Sequence, residues 1–219
     1  MTAMNNYMDP ARLEALVGAK GHRDVVGGLW DVIGPLQCDF LISRGLEPGH
    51  RLLDIGCGAL RGGVRFARYL EPGHYYGIDI SERLLDLGYE REIVPAGLAE
   101  RLPRANLFAT PDFEAPFGAM FDFGVAISLF THLDLAVYAH ALERLAPAFR
   151  RGARLYASVF EGGGEALSRP SGIVTYADRD PFHFLPEEVA ARTPSSWSMR
   201  WIGDWGHPRE QQMIELTRA

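Results

Sequence analysis

The chain has 219 residues, 47% of them hydrophobic, enough for one sizeable core and somewhat more than a bare mononucleotide-binding fold needs. Its net charge of −6 argues against a general phosphate-backbone binder, which carries an excess of basic charge, so nucleic acid is not an expected partner. Neither an apolar run of about 18 residues nor a basic start with an apolar signal core appears; no membrane partner is expected, and the protein reads as cytoplasmic.

The two cysteines, Cys38 and Cys57, are too few for a disulfide framework and lack C-x-x-C spacing, so both read as small fillers. Lys20 is the only lysine, an arginine bias that fits a high-GC bacterial source. No repeat or low-complexity tract appears.

Residues 1–8 read as a loose terminus. Asp9-Pro10 reads as an N-cap followed by proline at the first helical position, opening a short helix through Leu16. From Asp24 to Arg44, Val25, Leu29, Val32, Ile33, Leu36, Phe40 and Leu41 share one helical face, and Gly34-Pro35 should kink or split it. Pro48-Gly49 turns into the stretch RLLDIGCGALRGGVRFARYL, residues 51–70, around which the chain is organised.

Leu52, Leu53 and Ile55 predict a strand, Gly56 and Gly58 a tight turn, and Val64, Phe66, Ala67 and Leu70 an amphipathic helix. A strand feeding a helix through glycines presents backbone N–H groups where a cofactor can approach the main chain. A dinucleotide fingerprint needs G-x-G-x-x-G, and from Gly56 the chain runs Gly-Cys-Gly-Ala-Leu-Arg, so NAD or FAD is disfavoured. The acid followed by alternating glycines, Asp54, Gly56 and Gly58, resembles motif I of the class I S-adenosylmethionine-dependent methyltransferases. One departure is Leu60, where that family has a third glycine; Gly62 and Gly63 follow soon after.

The resemblance implies a Rossmann-like, doubly wound α/β fold: a mostly parallel seven-stranded sheet with an antiparallel last strand and N-terminal helices. It implies S-adenosyl-L-methionine as cofactor, with Asp54, Gly56, Cys57 and Gly58 at its site. It also gives residues 1–48 the role of a helical lid that shapes the substrate pocket, with Trp30, His22 and Gln37 as candidate contacts.

YYGID over Tyr75–Asp79 reads as the second strand, and Asp79 lies 23 residues after Gly56. An acid at this strand end accepts hydrogen bonds from both ribose hydroxyls, and Ile80 flanks it. Residues 81–101 read as broken helical segments and Ala105–Ala109 as a short third strand. Thr110-Pro111-Asp112-Phe113 then occupies the place where the resembling family reads the adenine ring, with Asp112 facing the exocyclic amine and Phe113 beside the ring.

FDFGVAIS, Phe121–Ser128, reads as a buried central strand and matches the family's motif IV. Ser128 and His132 fall at its carboxyl end, where ligands gather in open α/β sheets. Asp134 opens a helix to about Phe149, and Arg154–Phe160 reads as the fifth strand. Glu161–Pro186, rich in glycine and proline, reads as an irregular substrate-closing insertion carrying Tyr176, Asp180, Phe182, His183 and Phe184. A helix over Pro186–Arg192 and an antiparallel pair, Met199–Trp205 and Gln211–Thr217, complete the sheet. Trp205 and His207 join Trp30, Tyr176 and Phe182 as candidate substrate contacts.

The whole chain therefore reads as one methyltransferase domain: lid 1–48, cofactor-binding core 49–160, insertion 161–185, and last helix and strands 186–219. The expected chemistry is transfer of a methyl group to an oxygen, nitrogen or carbon of a small-molecule acceptor of natural-product or sugar type. Candidate general bases are His132, then His183, then Glu161, and no metal-ligand motif is present. A non-catalytic cofactor-binding or partner protein on the same fold is the alternative that Leu60 raises. The oligomeric state is left open, with a homodimer compatible.

Overall fold

Residues 10–219 are described by the structure, a computed structural model; Asp9, the expected cap, lies outside them. The first helix, α1, spans Pro10–Lys20 and so continues past Leu16 through Gly18. A single turn, α2 (His22–Val25), follows, and then α3, Trp30–Ser43. The expected break at Gly34-Pro35 is instead at 26–29. Gly27 and Gly28 adopt φ of 89° and 61° there, whereas Pro35 is carried inside α3 without splitting it.

The remaining elements are β1 (Leu52–Ile55), α4 (Gly63–Tyr69), β2 (Tyr75–Asp79), α5 (Glu82–Gly88), β3 (Leu107–Ala109), β4 (Phe121–Ala126), α6 (Leu135–Leu145), β5 (Phe149–Val159), β6 (Ala166–Ser168), β7 (Val174–Tyr176), α7 (Pro186–Arg192), β8 (Trp197–Asp204) and β9 (Gln212–Arg218). Seven strands form one sheet in the order β3-β2-β1-β4-β5-β9-β8. All pairs from β3 to β5 are parallel, and β9 alone runs opposite to the other six strands. The order reverses between β1 and β4, the switch point at which such sheets open a crevice.

Successive residues of β1 take opposite faces, as a strand demands. Leu52 packs with Ile33, Leu41, Phe66 and Leu85, the inner sides of α3, α4 and α5, while Leu53 packs with Leu142, Leu145 and Val189 of α6 and α7. The amphipathic stripes read from the sequence are thus the two faces of a doubly wound sheet. Leu13 and Val17 of α1 lie against Leu84 and Leu87 of α5. Arg23 grips Glu92 with two hydrogen bonds of 2.7 Å and His22 adds a third of 2.6 Å. Against the cost of burial, these bonds hold the Glu92 carboxyl below its ordinary range.

Two readings of the later chain are corrected. The fifth strand begins at Phe149, not Arg154; Arg150 and Arg151 are exposed there, and the register shifts between Phe121 and Phe123 on β4, so the charged start of the strand resembles a loop. The 161–185 insertion is not structureless. Its residues 166–168 and 174–176 pair as an antiparallel hairpin, and Glu161 and Tyr176 make isolated bridges to Phe184 and Phe182.

Leu60 has φ 66°, the left-handed conformation that a glycine takes at no steric cost, yet its side chain is fully buried. Left-handed strain costs a leucine roughly 1–2 kcal/mol, and truncating a buried leucine costs about 2–5 kcal/mol. Packing therefore outweighs strain. Leu60→Gly is expected to lower stability by about 1–3 kcal/mol in urea denaturation; a stabilised variant would show that strain dominates.

Candidate active site

Three backbone N–H groups tie the turn between β1 and α4 to β2. Gly56 and Cys57 donate to the Ile78 carbonyl at 2.8 and 3.1 Å, and Gly58 donates to Asp79 Oδ2 at 2.8 Å. Gly56 and Gly58 have φ of 72° and 53°; a Cβ on them would stand 3.0 Å from Leu129 Cδ1 and from Val26 Cγ1 respectively. Bare backbone is required at both positions, and it faces a cavity of about 300 Å³ at the carboxyl edge of β1, β2 and β4.

Asp54, Gly56, Cys57, Gly58, Asp79, Ile80, Phe113, Ser128 and His132, all expected at the site, line this cavity. Asp79 holds its floor together: besides Gly58, it accepts the Ser81 N–H at 2.9 Å through Oδ1. Burial raises its carboxyl above the ordinary range, and backbone hydrogen bonds from Ser81, Gly58 and Ile80 oppose that rise. Ser128 holds a left-handed backbone (φ 59°) without being glycine; its N–H donates to Ser158 Oγ at 2.7 Å and its hydroxyl to Gln211 Oε1 at 3.1 Å, fixing the end of β4 to β5 and β9.

Asp54 is buried behind the turn and accepts from the Tyr75 hydroxyl at 2.8 Å. Burial pushes its pKa up to about 7, against the lowering effect of Tyr75 and Arg61 and with the help of Asp79. Unfolded, the group ionises near its ordinary 3.8, so between about pH 4 and 7 the native state binds the extra proton and loses stability as pH rises; above that window the effect is constant. Asp54→Asn removes the dependence. Relative to the parent it is expected to gain at least about 1 kcal/mol between pH 5 and pH 8, since a tenfold difference in proton affinity between native and unfolded states is worth about 1.4 kcal/mol. Parallel stability curves in urea titrations would contradict this.

Several expected residues are not brought to the cavity. Asp112 is engaged by His140 Nε2 at 2.6 Å and Arg144 Nε at 3.0 Å on α6, and these hold its carboxyl below the ordinary range; Thr110, Pro111 and Phe113 line the cavity at this point. His183 is buried in the hairpin, bonded to Thr175 Oγ1 and the Gly164 carbonyl at 2.9 Å each, and it borders a separate pocket with Phe182. Glu161 is exposed, and its carbonyl accepts from Arg169. Tyr176 lies under the Arg179 guanidinium, 3.9 Å from the ring centre, and Trp30 lies under Arg23 at 4.8 Å.

Trp205 and His207 stack at 5.3 Å in the packing between β8, β9 and Phe40 of α3. Burial, reinforced by Arg61 and Arg209, pushes the His207 imidazole down to about 3, so it stays neutral and is no base. The burial of both rings follows from apolar packing of the strand turn onto α3, a long-range contact.

The cavity also has walls that sequence reasoning did not assign: Val25, Val26 and Gly27, with Arg61, Gly62 and Arg209. Arg61 Nη1 donates to the Gly28 carbonyl at 3.0 Å and Arg209 Nη2 to the Gly27 carbonyl at 2.7 Å, so two arginines from distant segments hold the 26–29 strap over the turn. Gln37 of α3, expected as a contact, lines the same end and is 3% exposed. Among the described residues no cluster suits a metal ion, and no helix is long and apolar enough to cross a membrane.

Residues 53–155, which carry the glycine turn, Asp79 and β4, match the model of the methyltransferase-domain family. This match spans 103 of the 219 residues, and together with the sheet order it makes the core of the chain similar to a methyltransferase domain. Among proteins similar to it, the ubiquinone biosynthesis O-methyltransferase of Hahella chejuensis is 33% identical over 90 residues, 36% of this chain and 37% of that protein. The aligned segment thus spans little more than a third of that relative. Magnesium protoporphyrin IX methyltransferase from Synechocystis PCC 6803, solved with bound S-adenosylmethionine, superposes with a TM-score of 0.64 over the full length of both chains at 15% identity. An amino pentose methyltransferase of calicheamicin biosynthesis from Micromonospora echinaspora superposes with a TM-score of 0.60 at 18% identity, covering 96% of this chain and 98% of that one. These two likenesses establish the shared fold.

Proposed function

We propose that this protein transfers the methyl group of S-adenosyl-L-methionine to an oxygen, nitrogen or carbon atom of a small-molecule acceptor, as a cytoplasmic enzyme of natural-product or sugar biosynthesis. The observation that carries the reading is the cavity of about 300 Å³ in which the bare Gly56–Gly58 backbone, the Asp79 carboxylate and Phe113 converge at the switch point. The cofactor supplies an activated sulfonium methyl, so the chain's own work is to orient two reactants and keep water out.

In this reading Asp79 accepts from both ribose hydroxyls. Its two oxygens already face N–H donors at 2.8 and 2.9 Å, which leaves lone pairs on each for a diol. Phe113 and Pro111 flank the adenine ring. Asp54, behind the turn, presents a carboxyl that a bound ammonium ionises. Ser128, Leu129 and His132 border the space where an acceptor meets the methyl group, and the 26–29 strap closes the opposite end.

The test is titration calorimetry with S-adenosylmethionine and then S-adenosylhomocysteine, followed by turnover against an acceptor panel. Micromolar binding with turnover supports the proposal. Binding without turnover of any acceptor favours the non-catalytic cofactor-binding reading, and no binding overturns both of these and leaves a partner protein on the same fold.

A further inference from the structure

We propose that Asp180 is a positioning residue that holds His132 with its Nε2 turned to act as proton acceptor, and that the acceptor is therefore a hydroxyl compound methylated on oxygen. This rests on the methyl-transfer reading above and names the substrate class that the same site takes.

His132 ends the short 3-10 turn Phe130–His132 that leaves the carboxyl end of β4. Thr131, fully buried, fixes that turn. Its hydroxyl donates to the Ser128 carbonyl at 3.1 Å, and its own carbonyl accepts the Phe182 N–H at 2.8 Å. The second bond comes from the insertion, so the segment carrying Asp180 is tied to the chain one residue from the imidazole. Asp180 Oδ1 stands 2.6 Å from His132 Nδ1.

A carboxylate can only accept, so this bond places the proton of the neutral ring on Nδ1 and leaves the lone pair on Nε2. The ring lines the cavity beside Leu129 and Leu133. Other charged groups nearby are occupied. The Asp134 carboxylate caps α6 through the Ala136 and Val137 amides, and the Arg179 guanidinium lies over Tyr176 and pairs with Asp178. Among the described residues, Asp180 is the charged side chain bonded to the ring.

The chemistry separates acceptors. A neutral amine attacks through a free lone pair, and its extra proton can leave afterwards. A hydroxyl is a poor nucleophile until its proton departs. Here the O–H bond breaks towards His132 Nε2 while a bond forms between oxygen and the methyl carbon. The carbon–sulfur bond breaks with its electron pair staying on sulfur. The positive charge so moves from sulfonium to imidazolium, beside the Asp180 carboxylate, and the imidazolium returns its proton to solvent.

The experiment has two arms. In the first, long-range 15N–1H NMR spectra of the neutral His132 ring, recorded without added ligand, are compared between the parent and Asp180→Ala. An Nδ1–H tautomer in the parent that reverts to Nε2–H in the variant is expected; Nε2–H in both overturns the dyad. In the second, a panel of phenols, sugars and primary amines is assayed for S-adenosylhomocysteine release.

Hydroxyl turnover is expected, with kcat about 100-fold lower in His132→Ala and roughly 10-fold lower in Asp180→Ala, the acceptor KM being nearly unchanged. Turnover confined to amines, or unaffected by both substitutions, overturns the hydroxyl assignment, as does binding of S-adenosylhomocysteine with no hydroxyl turnover. Failure to bind it at all overturns the methyl-transfer reading instead, while the spectra still decide the dyad.

Discussion

Replacing Asp79 by alanine is expected to weaken S-adenosylmethionine binding by about 2–3 kcal/mol, some 30- to 150-fold in Kd, the scale of lost charge-assisted hydrogen bonds. The effect on the ligand-free protein should be smaller. Burial already holds the Asp79 carboxyl above its ordinary pKa, so removing it relieves a desolvation cost while depriving Gly58 and Ser81 of an acceptor for their N–H groups. Gly58 lines the open cavity, so its amide can turn to water.

Asp79→Asn separates the two roles. The amide oxygen retains one backbone donor, but the NH2 group cannot accept from a second, so the diol loses part of its acceptor set and affinity should fall between parent and alanine. Calorimetry of the three proteins checks this series. Equal affinities would show that the ribose lies elsewhere, whereas a fall matched by an equal loss of urea stability would show that Asp79 only holds the loops.

The parts of this site that were legible in the sequence are those where the backbone dictates the residue. Gly56 and Gly58 stand at positive φ with Leu129 and Val26 at 3.0 Å from a would-be Cβ, so a side chain there would be both strained and crowded, and the pattern is visible in the chain. Asp79 sits at a strand end set by the sheet register, Ile78 pairing with Ile55, and its distance along the chain from the turn follows from the length of one helix. Leu60 was misleading only in identity. The conformation is that of a glycine, and packing holds the leucine in it.

What was illegible depends on contacts between distant segments. Nothing near Asp112 in sequence announces that His140 and Arg144, a helix away, will claim its carboxylate. Likewise, Arg209 reaches Gly27 across 182 positions, and the aromatic residues of the insertion look like a substrate face until the hairpin turns His183 inward. Aromatic and titratable residues suit a packed interior as well as a site, so their alternation alone does not decide between them.

One glycine outside the motif carries the second large effect. Gly88 lies in α5 with an ordinary helical backbone, and a Cβ there would meet the Ala59 carbonyl carbon and oxygen at 2.6 Å each and its Cα at 2.9 Å. Helix propensity favours alanine over glycine by about 1 kcal/mol. The clash opposes it: overpacking costs roughly 1–3 kcal/mol even where side chains can yield, and here the obstacle is main chain. The clash should win, with a net loss of at least about 2 kcal/mol and a Tm lower by roughly 4–8 °C. Relief requires the turn to move, and Ala59 is joined to Gly58, whose N–H holds Asp79 at 2.8 Å. S-adenosylhomocysteine affinity is therefore expected to fall at least about tenfold in Gly88→Ala. Gly18→Ala is the matched control, since α1 leaves nothing within 4 Å of its added methyl, and it should be neutral or stabilising with affinity unchanged. Equal behaviour of the two variants in thermal melts and calorimetry would mean that α5 does not set the position of the glycine turn.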